Sequence, residues 1–362
     1  MADSYVVVMN DTSSLRAAGV TAVARQIADR NSGSVNYVYD TALRGFATTM
    51  SEANARHVAA DPAVSYVQQN QTIRISGTQP NPPSWGLDRI DQRKLPLNNS
   101  YTYPTTASNV HAYVIDTGIR FTHTTFGGRA TSGRDTIDND NDATDCNGHG
   151  THVAGTVGGT EYGVAKGVQI VGVRVLSCAG SGTTAQVVAG IDWVTANAIK
   201  PAVANMSLGG GPDSVLDDAV RGSIASGITY SLSAGNGNAF GRPKDACKQS
   251  PARVAEAVTV AATDINDNRA SFSNFGTCVD IFAPGVNILS AWLDSDTDTN
   301  TISGTSMAAP HVTGAAALYL TNHPTATPLQ VRNQLSSTAT KEKVKDPREG
   351  SPNRLLFVGL LG

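Results

Sequence analysis

Val110-His111-Ala112-Tyr113-Val114-Ile115 runs straight into Asp116-Thr117-Gly118. A short apolar run of this kind reads as a buried strand. The carboxylate directly after it sits at the carboxyl end of that strand, where parallel α/β sheets bind their ligands. Similar runs recur at 168–175, 203–206, 228–233 and 257–261, with helical stretches at 186–198 and 214–226 between them. That alternation predicts an α/β fold with a parallel sheet covered by helices on both faces.

Before this region lies a unit of different pattern. Residues 5–9, 35–39, 46–50 and 64–69 read as strands, and 13–30 and 51–60 as helices. Ser51 opens the second helix and Glu52 suits its first turn. The order β-α-β-β-α-β over residues 1–76 is that of a small α+β, ferredoxin-like domain. Residues 77–83 hold three prolines and read as a linker. The expected division is therefore 1–76 and 77–362.

Apolar residues make up 40% of the 362, enough for a substantial core, while charged residues are only 16%. The net charge of −3 gives no argument for nucleic acid or an acidic membrane surface as partner. No apolar run approaches the roughly 18 residues of a membrane helix. The first residues lack the basic start and apolar stretch of a secretory leader. The four cysteines, Cys146, Cys178, Cys247 and Cys278, form no C-x-x-C unit, so a zinc site is not expected. They are either buried thiols or two disulfides; two bridges over loops of this size would each stabilise by about 3–4 kcal/mol. Bridges would suit a secreted chain whose leader is absent from this sequence.

Three segments carry chemistry. Asp116 is the first. In Asn147-Gly148-His149-Gly150-Thr151-His152 the flanking glycines allow close backbone approach around His149; His152 reads as structural, and H-E-x-x-H is absent. In Ser303-Gly304-Thr305-Ser306-Met307-Ala308-Ala309-Pro310-His311, small residues around Ser306 precede the helical stretch 312–320. Ser303 is the ordinary capping candidate there, and His311 reads as structural. A serine hydroxyl becomes a nucleophile when an imidazole takes its proton, and that imidazole needs a carboxylate to orient it. The chain order Asp116, His149, Ser306 differs from that of chymotrypsin and of the α/β-hydrolases, and Ala308 breaks the G-x-S-x-G pattern. Asn236, after the apolar run 228–233, is a candidate oxyanion donor beside the Ser306 N–H.

These segments closely resemble the signature segments of the subtilase family, and Trp85-Gly86-Leu87-Asp88-Arg89-Ile90-Asp91-Gln92-Arg93 resembles the aqualysin branch of its proteinase K group. Residues 5–76 resemble the family's inhibitor-type propeptide. The resemblance implies a subtilisin-like fold and a secreted, monomeric serine endopeptidase made as a self-inhibited precursor. Its partners would be polypeptide substrates and its own propeptide, 1–76. Asp116, His149 and Ser306 would be the triad, with Asn236 in the oxyanion hole. Gly180-Ser181-Gly182 and Ser207-Leu208-Gly209 would hold substrate as an added strand, with Ala234 and Gly235 beside them. Cys146 would pair with Cys178 and Cys247 with Cys278. Self-cleavage would fall near Ser76-Gly77, with residues 73–76 in the cleft.

Calcium is implied at up to three structural sites: the Ala255 and Ala257 carbonyls with Asp280; Asp88, Asp91 and Gln92; and Asp135, Asp140 and Asp142. At the second, Asn98 stands where a carboxylate is expected. The segment 239–245, beside the expected specificity pocket, is longer than in aqualysin-like chains. Two competing readings are a catalytically silent binding or inhibitory protein on the same fold, and a hydrolase limited to esters.

Overall fold

The computed structural model describes residues 3–70, 77–238 and 240–361. The chain forms two compact units, Met1–Arg74 and Ile75–Gly362.

In the first unit, strands β1 (Ser4–Met9), β2 (Ser34–Tyr39), β3 (Gly45–Thr49) and β4 (Val64–Gln69) form an antiparallel sheet in the order β2-β3-β1-β4. The expected helix over 13–30 is two helices, α1 (Ser13–Ala18) and α2 (Val20–Arg30), divided at Gly19, whose φ of +79° ends the first. Helix α3 (Glu52–Ala59) is capped by Ser51, whose side chain accepts from the Asn54 N–H at 3.3 Å. Val7, Met9, Ile27, Phe46 and Val58 belong to one core.

The second unit begins with β5 (Gly77–Pro80), α4 (Trp85–Ile90) and β6 (Ser100–Tyr103). The expected linker is thus partly ordered, because β5, including Pro80, pairs antiparallel with β6 before Pro82 and Pro83. There follow β7 (His111–Asp116), β8 (Ala130–Asp135), α5 (His149–Gly158), β9 (Gln169–Arg174), α6 (Thr184–Asn197), β10 (Ala202–Met206) and α7 (Ser214–Ala225). Next come β11 (Thr229–Ser233), β12 (Val258–Thr263), β13 (Ile281–Pro284), and the hairpin strands β14 (Ile288–Ala291) and β15 (Thr299–Ile302). The chain closes with α8 (Thr305–Asn322), α9 (Pro328–Thr338), β16 (Thr340–Lys341) and β17 (Arg354–Leu355).

Nine strands form one sheet in the order β16-β17-β13-β12-β11-β10-β7-β9-β8. All its pairings are parallel except β16 with β17. β7 shows why the strands are apolar without alternation. Ala112 and Val114 pack on one face with Val153 and Val312, while Tyr113 and Ile115 pack on the other with Val187 and Val220. A strand buried on both faces leaves only its ends for polar work.

Candidate active site

Asp116 is the last residue of β7 and is fully buried. Its Oδ1 accepts the Thr117 N–H at 2.8 Å and faces His149 Nδ1 at 2.7 Å. Since a carboxylate there only accepts, Nδ1 carries the proton and Nε2 keeps its lone pair. Burial pulls the His149 pKa down, but the charge and hydrogen bond of Asp116, helped by Asp145, outweigh it and hold the imidazole above its ordinary value. The close approach depends on glycine. A Cβ on Gly150 would lie 2.1 Å from the Gly118 carbonyl oxygen, and Gly118 itself has φ of +105°.

The backbone that presents His149 is organised by Asp145, a residue given no role in the sequence analysis. Its Oδ1 accepts from Thr117 Oγ1 (2.9 Å), Asn147 N (2.9 Å) and Gly148 N (3.0 Å), and its Oδ2 from Thr151 N (3.0 Å) and Thr151 Oγ1 (2.6 Å). A carboxylate at the start of α5 satisfies its free N–H groups and suits its dipole. The two other histidines of the motif segments, His152 and His311, have different surroundings. His152 Nε2 faces the Ile288 carbonyl at 3.0 Å and His311 Nδ1 the Met307 carbonyl at 2.8 Å; both rings are fully buried, and burial lowers each pKa to about 4.

Ser306 is the second residue of α8. The expected cap, Ser303, is not used: Gly304 precedes the helix, while Ser303 Oγ accepts from Asn287 N at 2.8 Å. Pro310 lies four residues after Ser306 and has no N–H for its carbonyl. Ser207 Oγ replaces that donor at 2.7 Å, and is itself held by Asn205 Nδ2 at 2.9 Å. In return, Ser306 Oγ donates to the Ser207 carbonyl at 3.1 Å, rather than to His149. Asn236 is held by its oxygen: Oδ1 accepts from Thr305 N at 2.8 Å and Thr305 Oγ1 at 2.9 Å, so Nδ2 is left to donate elsewhere. Thr305 Oγ1 in turn accepts the Gly235 N–H at 3.0 Å.

Two adjoining hollows share Ser207, Leu208 and Gly209. One, of about 640 Å³, is lined by His149 and by Gly180, Ser181 and Gly182; the other, of about 280 Å³, by Ala234, Gly235, Asn236 and Ser306. The residues expected to bind substrate thus line two hollows that adjoin at residues 207–209. The cysteines pair as Cys146–Cys178 and Cys247–Cys278. The first ties the approach to His149 to the turn that carries Gly180. Residues 73–76, expected in the cleft, lie outside the described residues, as does Ala239 of the long segment 239–245.

The three candidate calcium sites differ in fit. Among the described residues no group of three or more His, Cys, Asp or Glu is arranged to hold a metal. Asp280 Oδ1 takes Arg332 Nε and Nη2 at 3.0 and 2.5 Å, and Oδ2 takes the Thr259 N–H at 2.9 Å, so beside Ala255 and Ala257 a guanidinium already supplies the positive charge. Asp135 pairs with Arg174 at 2.6 Å, while Asp140 and Asp142 are exposed and accept from their own loop. Neither set fits a cation as arranged. At the remaining set, Asp88 accepts from Asn98 N and Asn99 N, and Asp91 Oδ2 from Thr102 N. Asp91 Oδ1 and Gln92 Oε1, however, are buried without partners. Burial, with the charge of Asp88, raises the Asp91 pKa to about 6 against the pull of the Thr102 N–H. Unsatisfied hard oxygens of this kind fit a calcium ion.

Comparison with known proteins places the chain in a family. The model of the subtilase family matches residues 107–355, and that of peptidase inhibitor I9 matches residues 4–76. An extracellular serine proteinase of Thermus sp. (strain Rt41A) is 54% identical over 339 residues, covering 94% of this chain and 81% of the relative. Alkaline serine exoprotease A of Vibrio alginolyticus is 50% identical, covering 99% of this chain and 67% of the relative. The crystal structure of a cold-adapted subtilisin-like serine proteinase superposes with a TM-score of 0.73 at 58% identity, over 76% of this chain and 97% of that one. With a family model running through most of the second unit and an inhibitor model over the first, the chain belongs to the subtilase family of serine proteinases and carries an inhibitor I9 domain at its N-terminal end.

Proposed function

We propose that residues 77–362 are a secreted, monomeric endopeptidase and residues 1–76 its self-cleaved inhibitory propeptide, cut near Ser76-Gly77. The observation that carries the reading is the pairing of the buried Asp116 with the partly exposed His149, whose Nε2 is free and whose ring lines one hollow beside the hollow that Ser306 and Asn236 line. Substrate adds as a strand between residues 180–182 and 207–209, held by main-chain hydrogen bonds. Attack requires Ser306 Oγ to exchange its bond to the Ser207 carbonyl for one to His149 Nε2, by rotation about χ1. His149 takes the proton as Oγ bonds to the scissile carbonyl carbon, and Asp116 stabilises the imidazolium. Asn236 Nδ2 and the Ser306 N–H stabilise the oxyanion. The imidazolium then protonates the leaving amine, and water hydrolyses the acyl-enzyme by the same relay of protons.

A structural calcium ion at Asp88, Asp91 and Gln92 belongs to this reading; it holds the segment after α4 and takes no part in the chemistry. The test is the intact mass of the purified full-length chain during incubation. The unsubstituted chain converts to the mass of residues 77–362, while Ser306→Ala stays full length. A Ser306→Ala chain that still processes when pure refutes the assignment.

A further inference from the structure

We propose that Asn274 is a positioning residue of the peptidase site, clamping the strip 234–237 to the base of the loop that follows it. Asn274 is fully buried beyond β12 and touches neither His149 nor Ser306. Its backbone N–H donates to the Gly235 carbonyl at 3.0 Å, and its Nδ2 to the Ala234 carbonyl at 2.8 Å. Its Oδ1 accepts from Gly237 N at 3.1 Å and from Lys244 N at 2.8 Å. One side chain thus holds both ends of the strip and the returning end of the loop.

The local backbone is shaped for this contact. Gly235 has φ of +96°, and a Cβ there would lie 2.6 Å from Asn274 Nδ2. Gly237 has φ of +80°, and a Cβ there would lie 2.3 Å from the Arg242 carbonyl oxygen. The loop leaves at Asn238 and closes on itself, Asn238 N donating to Arg242 O at 3.0 Å and Asn238 Oδ1 accepting from Phe240 N and Arg242 N. Phe240 projects from it, 87% exposed. The strip is therefore held from two sides. Thr305, next to Ser306, grips Gly235 and Asn236, and Asn274 grips Ala234, Gly235 and Gly237.

The inference rests on the proposed reading of Asn236 as oxyanion donor, and residues 234–237 are a wall of the hollow that Ser306 also lines. Without the Asn274 side chain, three backbone groups lose their partner: the buried Ala234 carbonyl and the part-buried N–H groups of Gly237 and Lys244. The strip then keeps its Thr305 bonds and its main-chain bonds from Ala234 N to Val260 O and from Asn274 N to Gly235 O, but its Gly237 end is released from the base of the loop, so the Asn236 amide and the pocket wall shift relative to Ser306. Displacements of about 1 Å at such sites cost on the order of 10²-fold in rate.

The experiment compares Asn274→Ala and Asn274→Ser with the parent enzyme, each processed from the full chain and counted by titration with a serine-directed reagent. Peptide anilides differing only in the acyl-side residue (Ala, Leu, Phe) are assayed well below each melting temperature. The expected result is a titratable Ser306 with kcat lowered about tenfold or more, and a changed Phe-to-Ala ratio of kcat/KM. Unchanged kcat and an unchanged ratio in either titratable variant overturn the proposal. In the full-length Ser306→Ala chain, the amide hydrogens of Gly237 and Lys244 exchange slowly; fast exchange of both overturns it even where neither variant folds. Failure of the underlying reading looks different: the parent enzyme itself would not titrate at Ser306.

Discussion

Acid should destabilise this protein through a histidine that the chemistry does not use. His311 lies fully buried in α8, with Nδ1 donating to the Met307 carbonyl and Nε2 unpartnered. Its pKa is lowered by burial to about 4, against about 6.5 in an unfolded chain. The fold therefore favours the neutral ring, and on acidification the unfolded state takes up the proton first. Stability falls as pH drops below about 6.5 and stops falling below about 4. A single group with this shift removes about 2 kcal/mol by pH 5 and about 3 kcal/mol by pH 4. His311→Asn keeps a donor for Met307 and abolishes the titration, at a pH-independent cost of about 1–2 kcal/mol for the lost ring volume. The assay is guanidinium unfolding of the full-length Ser306→Ala chain near pH 7 and near pH 5, followed by tryptophan fluorescence. All three tryptophans, Trp85, Trp193 and Trp292, lie in the second unit with His311. The stability difference between the two pH values should be about 2 kcal/mol smaller in His311→Asn. Equal differences in the two chains would refute the reasoning.

Three further outcomes follow. Asn236→Leu should lower kcat by roughly 10²–10³ with little change in KM, measured on a peptide anilide with titrated enzyme. Because Asp116 raises the pKa of His149 and only the neutral ring accepts the serine proton, activity should fade on acidification with a midpoint above about 6.5; a midpoint at or below that value contradicts the pairing. Calcium should stabilise the fold by about 2.7 kcal/mol at a hundred times its dissociation constant, seen as a higher melting temperature, and Asp91→Asn should abolish most of that gain. Since Asp91 titrates near 6, the calcium effect should also weaken below that pH.

Much of the site is legible in the sequence because its chemistry is local. Asp116 follows an apolar run, His149 sits between glycines, and Ser306 precedes a helix, so each announces its element. The residues that hold these groups in place do not. Asp145 looks like one more acid in a polar loop until Thr117 and Thr151 are seen to fold onto it. Thr305 and Asn274 act on Asn236 and its strip from distant parts of the chain, and no spacing predicts that. Ser207 fills the hydrogen bond that Pro310 withholds, a relation that exists only once β10 and α8 are neighbours. The fold was readable where strands are buried on both faces and unreadable where pairing is short: β5 with β6 reads as linker because only four residues pair. Conversely, carboxylates expected to hold calcium at Asp135 and Asp280 meet Arg174 and Arg332, partners hidden by their distance along the chain.

The five hydrogen bonds gathered by Asp145 bear on when a growing chain becomes dangerous to its neighbours. Those bonds join residues 117 to 151 only, so the contacts that present the imidazole are local in the chain. The hydroxyl arrives only with α8, after β10, β11 and β12 have been made to receive it. The three groups therefore cannot meet before α8 is made, by which point residues 4–76, which the inhibitor model matches, have long been synthesised.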